Sequence, residues 1–300
     1  MDKKNSPVFE NFSKIFLFKP KNLPILTRET ALEILNAKNG FACISLNLGL
    51  SKEKVFVRDE YVEFPGGFKI KKDLLEEVAE DESKSVYVIE NSNIRSIERW
   101  DSKENTYYKL KYVKPDTAPT LEINGIHMHR IVNITPWQDS AKKVRLLRVK
   151  PREKVLDICT GLGYTAILAH KMGGDVVSIE KSVSVLKIAE YNPWSKELEQ
   201  IKIILGDAFK TVKKFEEKTF NKILHDPPRF SLAGELYSLS FYKELYRILK
   251  AKGLLVHYVG SPGRCRGIDM VRGVTQRLKN AGFTVYINRK LECVVAVKEK

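Results

Sequence analysis

From about residue 154 onward, short apolar runs alternate with stretches whose apolar residues recur with a helical period. The runs have the length of strands and the periodic stretches have the length of helices. Strands are predicted at 155–157, 175–180, 202–205, 222–226, 253–259, 283–287 and 292–297. The longer predicted helices lie at 164–172, 182–191, 234–249 and 267–280. This alternation predicts an α/β fold with a mostly parallel sheet, helices on both faces, and a ligand at the carboxyl ends of the strands.

The first half of the chain has a less regular pattern. Thr27 can cap a short helix at 27–36, and a second helix is predicted at 71–80. Alternating apolar and polar residues predict strands at 43–48, 55–64, 85–90, 94–100, 107–113 and 121–123. We therefore expect a small mixed α+β domain over residues 1–134, in which no catalytic pattern is recognisable, followed by an α/β domain over residues 135–300.

The positive charge of the chain is concentrated in its second half. The formal net charge is +15; residues 1–134 hold 21 Lys and Arg against 20 Asp and Glu, so residues 135–300 contribute +14. A polyanionic partner such as RNA or DNA explains this excess, because phosphate neutralisation supplies much of the affinity in such complexes. The alternative is a solvated, lysine-rich surface, and the scarcity of glutamine also resembles hyperthermophile composition.

Two stretches combine charge with chemistry that suits nucleic acid. A helix predicted over 141–149 begins a crowded basic segment, and Lys142, Lys143, Arg145 and Arg148 are its candidate phosphate-binding residues. Residues 107–112 interleave tyrosines and lysines, as in proteins that bind single strands. Alternation along a strand would equally place the apolar side chains inward and the lysines outward, and we prefer this second interpretation.

Several classes of protein are not indicated. No apolar run is long enough to span a membrane and no signal-type segment is present, so we expect a cytoplasmic protein without a membrane partner. The cysteines are scattered and form no C-x-x-C pair, which indicates neither a disulfide framework nor a zinc site. His127 and His129 would lie on opposite faces of a strand, so they are poorly placed to bind one ion. No metal site is predicted.

A glycine turn organises the second half. An apolar strand ends around Asp157, the turn carries Gly161 and Gly163, and a helical period begins at once. Glycine allows a positive φ and a close approach of the backbone to a ligand, and the start of the helix offers unpaired N–H groups. The third glycine of the dinucleotide fingerprint is missing, so a pyrophosphate ligand is not specified.

The pattern Asp157-x-x-x-Gly161-x-Gly163 resembles the first motif of the class I S-adenosylmethionine-dependent methyltransferases. The resemblance covers about residues 140–300 and implies a Rossmann-like sheet whose closing pair of strands inserts one antiparallel strand. It also implies S-adenosylmethionine as the cofactor. The residues implied to bind it are Asp157, Thr160, Gly161, Gly163, Glu180, Lys181, Asp207 and Ala208.

Acidic residues stand at or near the ends of four successive strands of the predicted sheet. After Asp157 comes Glu180, where a carboxylate can accept hydrogen bonds from two ribose hydroxyls. Asp207 is placed to accept from an adenine amino group, and Asp226 is placed beside the reacting atoms. One such acid is common, but four after a glycine turn agree with one another and strengthen the methyltransferase interpretation.

The motif Asp226-Pro227-Pro228-Arg229-Phe230 indicates the substrate. It resembles the Asp/Asn/Ser-Pro-Pro-aromatic motif of methyltransferases that modify exocyclic amino groups, N6 of adenine or N4 of cytosine. The lone pair of such an amine is delocalised into the ring, and the carboxylate of Asp226 and the carbonyl of Pro227 can accept its hydrogens and favour a tetrahedral nitrogen. Since prolines hold these acceptors rigid, the predicted catalytic residues are Asp226, Pro227, Pro228 and Phe230.

The motif departs from the family pattern at Arg229, which replaces the aromatic residue. A guanidinium can stack on a base and bind phosphate, while Phe230 can serve as the stacking platform, so the base and the amine specificity stay open. Arg264 and Arg266 follow the fifth strand on the same rim and are predicted to bind phosphate near a flipped base.

The prediction from the sequence is therefore a methyltransferase that acts on an exocyclic base amine in structured RNA, either ribosomal RNA or tRNA, with cytosine N4 of ribosomal RNA favoured. The chain resembles archaeal predicted methyltransferases with a small N-terminal domain, which would bind RNA or position the substrate. Two alternatives stay open: a small-molecule transferase on the same scaffold, including a polyamine aminopropyltransferase, and a non-catalytic RNA-binding assembly factor. The basic second half argues against a cationic polyamine. The oligomeric state is not indicated.

Overall fold

The computed structural model describes residues 14–260 and 270–300. These residues form two compact units. The large-sheet unit comprises 14–18, 139–183, 197–260 and 270–300, and the small-sheet unit comprises 19–138 and 184–196. Whereas the predicted division after residue 134 follows the order of the chain, each unit is built from separate stretches.

The described residues form short strands and helices throughout. The strands are β1 (Ile15–Phe16), β2 (Ile25–Leu26), β3 (Gly40–Ile44), β4 (Glu53–Val57), β5 (Tyr61–Phe64), β6 (Phe68–Lys71), β7 (Tyr87–Glu90), β8 (Asn93–Ser96), β9 (Glu98–Asp101), β10 (Thr106–Lys111), β11 (Thr120–Ile123), β12 (Ile126–His127), β13 (Lys154–Ile158), β14 (Asp175–Glu180), β15 (Lys202–Leu205), β16 (Phe220–His225), β17 (Leu249–Tyr258), β18 (Thr284–Asn288) and β19 (Cys293–Val297). The α-helices are α1 (Arg28–Leu35), α2 (Lys72–Glu80), α3 (Pro136–Leu147), α4 (Tyr164–Lys171), α5 (Val183–Ala189), α6 (Ala208–Thr211), α7 (Leu239–Ile248) and α8 (Met270–Asn280). The 3-10 helices lie at Pro193–Gln200, Val212–Lys214 and Gly234–Tyr237.

The large-sheet unit is built on one eight-stranded sheet in the order β1-β15-β14-β13-β16-β17-β19-β18. The five strands from β15 to β17 are parallel, β19 is antiparallel to both of its neighbours, and the short β1 pairs antiparallel with β15. This topology confirms the predicted α/β class, including the antiparallel strand supplied by the closing pair. Parallel strands covered on both faces must be apolar on both faces, and Val155–Ile158 of β13 is accordingly buried throughout.

The order of the strands reverses between β13 and β16. The chain proceeds from β13 through β14 to β15 in one direction, then crosses to β16 and continues to β17 in the other. Such a switch point leaves a crevice at the carboxyl ends of the two central strands, because the connections that follow them leave in opposite directions. The position of the ligand site is therefore set by the topology.

The small-sheet unit contains antiparallel sheets in the orders β3-β4-β5-β6, β12-β11-β10-β9 and β2-β7-β8. Its α1 begins as predicted, with the hydroxyl of Thr27 accepting a hydrogen bond from the backbone N–H of Thr30. The core of the first sheet is formed by alternate residues such as Val55, Val57 and Ile70. The opposite face of this sheet is therefore left to solvent.

Several elements are shorter than their sequence pattern predicts. The strand predicted at 55–64 is interrupted at residues 58–60 and becomes β4 and β5, and that at 94–100 becomes β8 and β9. The helix predicted at 234–249 begins as the 3-10 turn Gly234–Tyr237 and becomes α-helical only from Leu239. Residues 107–112 place Tyr108, Leu110 and Tyr112 inside, as our preferred interpretation predicts.

Candidate active site

The two motifs of the second half meet at the switch point. The glycine turn follows β13 and the Asp226 loop follows β16, and these strands are adjacent in parallel register. The backbone N–H of Asp226 lies 3.4 Å from the carbonyl of Ile158, so the two loops begin side by side. The fold thus brings together what the sequence separates by about seventy residues.

The two glycines of the turn are required for different reasons. Both have positive φ, +54° at Gly161 and +78° at Gly163. A Cβ on Gly161 would meet nothing within 4 Å, so this side of the turn is open to a ligand. A Cβ on Gly163 would lie 2.5 Å from the side chain of Leu198, so the second glycine permits the packing of α4.

Asp157 lies beneath the turn. It is only 1% exposed, and its two oxygens accept hydrogen bonds from the hydroxyls of Thr165 (2.7 Å) and Ser178 (2.6 Å). The hydroxyl of Ser178 accepts in turn from that of Thr160 at 2.6 Å. Burial raises the pKa of Asp157 to about 7, although the hydroxyl donors oppose this shift. Asp157 and Thr160 are therefore placed to support the turn from within.

Glu180 ties the turn to the neighbouring strand. At the end of β14, its Oε2 accepts from the backbone N–H of Gly161 at 2.9 Å. Its Oε1 accepts from the N–H groups of Lys181 and Ser182, at 2.9 and 3.0 Å. A change at Glu180 would therefore disturb the turn as well as any hydroxyl donor that it binds.

Asp207 follows the next strand, β15. Its side chain caps α6 by accepting from the N–H of Lys210 at 3.1 Å, and Ala208 is the buried first residue of that helix. The ammonium of Lys181 lies 3.9 Å from Asp207 and is largely exposed. The acids predicted at the ends of successive strands thus lie along one edge of the sheet.

Asp226 is bound by a buried lysine. The Nζ of Lys143, which is 3% exposed, lies 2.8 Å from Oδ2 of Asp226 and 2.9 Å from Oδ2 of Asp139. The same ammonium lies 3.7 Å from the ring centroid of Tyr258. Burial alone would lower the pKa of Lys143, but the attraction of Asp226 and Asp139 outweighs it and holds that pKa above its ordinary value. The lysine is therefore charged and fixed.

This arrangement corrects one prediction from the sequence. Lys143 does not belong to an exposed basic surface, because it shares the inward face of α3 with Asp139 and Leu147. Lys142, Arg145 and Arg148 are exposed. The spacing of Asp139 and Lys143, four residues apart on a helix, was the signal that could have identified the pair.

The side chain of Asp226 is turned partly toward solvent. It is 22% exposed, and none of the described residues donates a hydrogen bond to its Oδ1. The loop after it is held by Tyr237, whose hydroxyl donates to the carbonyl of Pro228 at 2.9 Å. Phe230 is 46% exposed and meets the ring of Tyr237 edge-on, with the centroids 5.5 Å apart.

The remaining predicted site residues divide into two groups. Pro227 is buried and Arg229 is exposed in the same loop. Arg264 and Arg266 lie outside the described residues. Tyr237 and Tyr258 were not predicted to be parts of the site, because no sequence motif includes them. Only the fold places Tyr237 against Pro228 and Tyr258 against Lys143.

Two buried histidines lie beside the loop on β16 and β17. The Nδ1–H of His257 donates to the carbonyl of His225 at 3.2 Å, so its Nε2 accepts from the hydroxyl of Tyr242 at 3.0 Å. The Nε2–H of His225 donates to the carbonyl of Leu236 at 3.0 Å. Burial lowers the pKa of both, that of His225 to about 4. Both imidazoles are therefore neutral parts of the core at neutral pH.

Two family models match the chain. One, described as protein-L-isoaspartate(D-aspartate) O-methyltransferase, covers residues 72–225, half of the chain. The other, described as S-adenosyl-L-methionine-dependent methyltransferase, covers residues 180–299. The chain thus belongs to the S-adenosylmethionine-dependent methyltransferases.

Within this class, the chain groups with the uncharacterized protein MJ1233 of Methanocaldococcus jannaschii. The two are 44% identical over 96% of this chain and 99% of the relative. A second protein of that organism, MJ1653, is provisionally named a ribosomal RNA large subunit methyltransferase; it is 33% identical over 28% of this chain and 23% of its own length. A spermidine synthase bound to the transition-state analogue AdoDATO has a TM-score of 0.53 at 18% identity, over 64% of this chain and 70% of that chain. That likeness shows the shared fold.

The site fits the cofactor of this class, S-adenosylmethionine. The open side of Gly161 offers backbone to a ligand where a Cβ would otherwise project. The carboxylates of Glu180 and Asp207 are suited to hydroxyl and amino donors, and negative charge suits a sulfonium cation. Among the described residues, no group of three or more His, Cys, Asp or Glu could hold a metal ion. None of their helices has the length and apolar character needed to cross a bilayer.

Proposed function

We propose that this methyltransferase modifies an exocyclic amine of a base in structured RNA, with cytosine N4 of ribosomal RNA as the favoured target. The observation that carries the proposal is the Asp226 carboxylate, which is partly exposed at the switch point and followed by two prolines. S-adenosylmethionine supplies an electrophilic methyl group when it is bound. The protein must then hold the amino nitrogen of the substrate base so that its lone pair can attack that methyl group.

Asp226 is suited to prepare that nitrogen. Its Oδ2 is held by Lys143, so Oδ1 is the atom that would accept one hydrogen of the amine. The carbonyl of Pro227 would accept the other, and the fixed positions of both acceptors lower the cost of alignment. Phe230 would stack on the base, and its ring is held edge-on by Tyr237.

Electrostatics argues against two other kinds of acceptor. A carboxylate substrate, as in the name of the first family model, would be repelled by Asp226, whereas an amine donates to it. A polyamine is not disfavoured by Asp226, but it would have to approach a half of the chain whose net charge is +14, which is unfavourable. RNA is supported by that charge, by the exposed Lys142, Arg145 and Arg148, and by the name of the relative MJ1653.

The proposal is tested by incubating the protein with isotopically labelled S-adenosylmethionine and total RNA, followed by digestion to nucleosides and mass spectrometry. We expect label in N4-methylcytidine, and its loss in Asp226→Asn. Label in another nucleoside methylated on its amino group would support methylation of an exocyclic amine but would show that the target base is not cytosine. Label in a small molecule or a protein, or none in RNA, would overturn the proposal.

The basic residues of α3 and its C-terminal end are tested separately. Replacing Lys142, Arg145 and Arg148 together by Gln removes three exposed cations without touching Asp226. We expect KM for RNA to rise by about tenfold or more at physiological salt, since each phosphate contact contributes to affinity, with kcat retained. An unchanged KM would show that these residues belong only to a solvated surface.

A further inference from the structure

One sheet of the small-sheet unit has a solvent face that combines aromatic rings with cations. The alternate residues of β3 to β6 that point away from the core, with Arg58 at the end of β4, form what we call the aromatic-basic face. Its members are Phe41, Cys43, Lys54, Phe56, Arg58, Tyr61, Glu63, Lys69 and Lys71. Their register is fixed by cross-strand pairs that include Phe41 with Phe56 and Cys43 with Lys54.

The rings of this face differ in exposure, since Phe56 and Tyr61 are half-buried and Phe41 is largely exposed. Phe41 is 76% exposed, which is costly for a large apolar side chain and is not required by the core beneath it. Its ring meets that of Phe56 edge-on, with the centroids 4.7 Å apart. Tyr61 lies on the same face, in β5. Three rings thus lie on the outer surface of adjacent antiparallel strands.

Cations surround these rings. The guanidinium of Arg58 lies 4.2 Å from the centroid of Phe56, and the ammonium of Lys69 lies 5.4 Å from that of Tyr61. Lys54 and Lys71 are exposed on the same face. The face has one carboxylate, Glu63, whose Oε1 lies 3.6 Å from Arg58. The face is therefore positive as well as aromatic, although exposed acids occupy the adjoining turn at 59–60.

We propose that the aromatic-basic face binds single-stranded RNA. Rings on a sheet surface stack on unpaired bases, and neighbouring lysines and arginines neutralise the backbone, with little dependence on sequence. That the nucleic acid is RNA rests on the proposed function. That the face binds a single strand rests only on its rings and its cations. Of the interleaved residues 107–112, which the sequence also offered for this role, Tyr108, Leu110 and Tyr112 turn into the core, and Tyr107 stays half-buried on the other face of β10.

The binding test uses the full chain and a fluorescent single-stranded RNA of about 12 nucleotides, a length within the range that one such sheet binds. Fluorescence anisotropy gives Kd for wild type, for Phe41→Ala, and for Trp100→Ala as the matched control, an exposed ring on β9 outside the face. We expect Phe41→Ala to weaken binding about 5-fold to 150-fold, and Trp100→Ala by less than about twofold. Equal Kd values for wild type and Phe41→Ala would overturn the proposal, and would be the result if the face instead docks a protein.

Salt dependence separates stacking from charge. Changing Lys69 and Lys71 together to Gln should reduce the slope of log Kd against log salt concentration by about 1.4, since each phosphate contact to a single strand contributes about 0.7. Phe41→Ala should leave that slope unchanged. The same RNA annealed to its complement should bind with no difference between wild type and Phe41→Ala, because paired bases hide their faces. A loss on duplex as large as that on the single strand would contradict stacking.

The outcome is distinguishable from that of the proposed function. Asp226→Asn should lose methyl transfer and keep its Kd for the single strand, whereas Phe41→Ala should keep the affinity for S-adenosylmethionine. If wild type transfers no methyl to RNA but Phe41→Ala still weakens the single strand, the proposed function fails and the face stands. If wild type modifies RNA but Phe41→Ala binds the single strand as tightly as wild type does, the proposed function stands and the proposal for the aromatic-basic face fails.

Discussion

At the scale of single residues, Lys143 shows how strongly one side chain constrains this site. Its ammonium lies between two carboxylates and against one ring, so it offsets one of the two negative charges of Asp139 and Asp226 inside the protein. Breaking such a pair leaves a buried charge without compensation, which costs more than the intact pair contributes. Lys143 therefore positions Asp226 and also stabilises the fold.

Replacing Lys143 by Met should lower the free energy of unfolding by about 3 to 5 kcal/mol, because two carboxylates are then left facing each other. Urea titration measures the change. Lys142→Met, on the exposed side of the same helix, is the control and should change it by less than about 0.5 kcal/mol. Adding Asp139→Asn to Lys143→Met should recover part of the loss, since one of the two charges is removed. Equal effects of the two Lys variants would contradict the buried pair.

The glycine turn offers a second test at this scale. Gly163→Ala forces a Cβ against Leu198 and should destabilise the protein by about 1 to 3 kcal/mol through overpacking, in addition to the strain of positive φ. Gly161→Ala carries only the strain, about 1 kcal/mol, but places a methyl group on the open side. It should therefore reduce the free energy of S-adenosylmethionine binding by more than it reduces the free energy of unfolding. Calorimetric titration and thermal unfolding measure both; a Gly161 variant with unchanged affinity would remove the turn from the cofactor site.

At the scale of elements, β16 and β17 bring a pH dependence with them. The pKa of His225 is lowered to about 4 by burial, so the unfolded chain binds the proton more readily. The stability that neutral His225 contributes is present above about pH 6.5 and is lost as the pH falls toward 4. Asp157, whose pKa is raised to about 7, acts in the opposite sense over this range, since its protonated form is favoured in the folded state.

The contribution of the histidine is isolated with His225→Gln, which can still donate to the carbonyl of Leu236. Between pH 7 and pH 5, wild type should lose about 2 kcal/mol more of its unfolding free energy than this variant does, since only wild type must protonate His225 on unfolding. Urea titration at the two pH values gives the difference. If the two proteins show parallel pH profiles, the imidazole is not held neutral by the fold.

Prediction from the sequence succeeded where the signal is local. The cap at Thr27, the glycine turn and the alternation of β13 to β17 with helices are each encoded within a few residues. It failed at residues 58–60, where no glycine or proline marks the turn between β4 and β5, and at the 3-10 start of the helix before α7. Whether the side chain of Lys143 points inward depends on how α3 is rotated about its own axis, which the sequence does not specify. Seven of the thirteen residues at 142–154 are Lys or Arg, so the sequence did not distinguish the buried Lys143 from its exposed neighbours.

At the scale of the whole molecule, the chain order does not define the units. Residues 184–196 group with 19–138, and the contacts are specific. The hydroxyl of Ser184 accepts from Arg99 at 2.9 Å and donates to Asp101 at 2.6 Å, and the indole of Trp194 donates to the carbonyl of Leu48 at 3.0 Å. Only the folded chain reveals such pairings, because the partners lie more than eighty residues apart in the sequence.

A fragment ending at residue 134 should therefore be less stable than the same residues in the intact chain, because it lacks residues 184–196 and the hydrogen bonds they make, each worth about 1 kcal/mol. Hydrogen exchange in β3 to β6 of the fragment and of the intact protein measures the difference. Trp194→Phe in the intact chain is the control and should reproduce only a small part of it. Equal protection in fragment and intact chain would support an independent domain over residues 1–134.

The outward side chain of Cys43 has a practical consequence. It is exposed in β3 opposite Lys54, whereas Cys159 is partly buried and Cys293 is buried. In a Cys265→Ser background, a maleimide photocrosslinker should attach first at Cys43, since accessible thiolates react before enclosed ones. Whatever occupies this side of the sheet during catalysis could then be captured covalently and identified by mass, without altering a ring or a lysine.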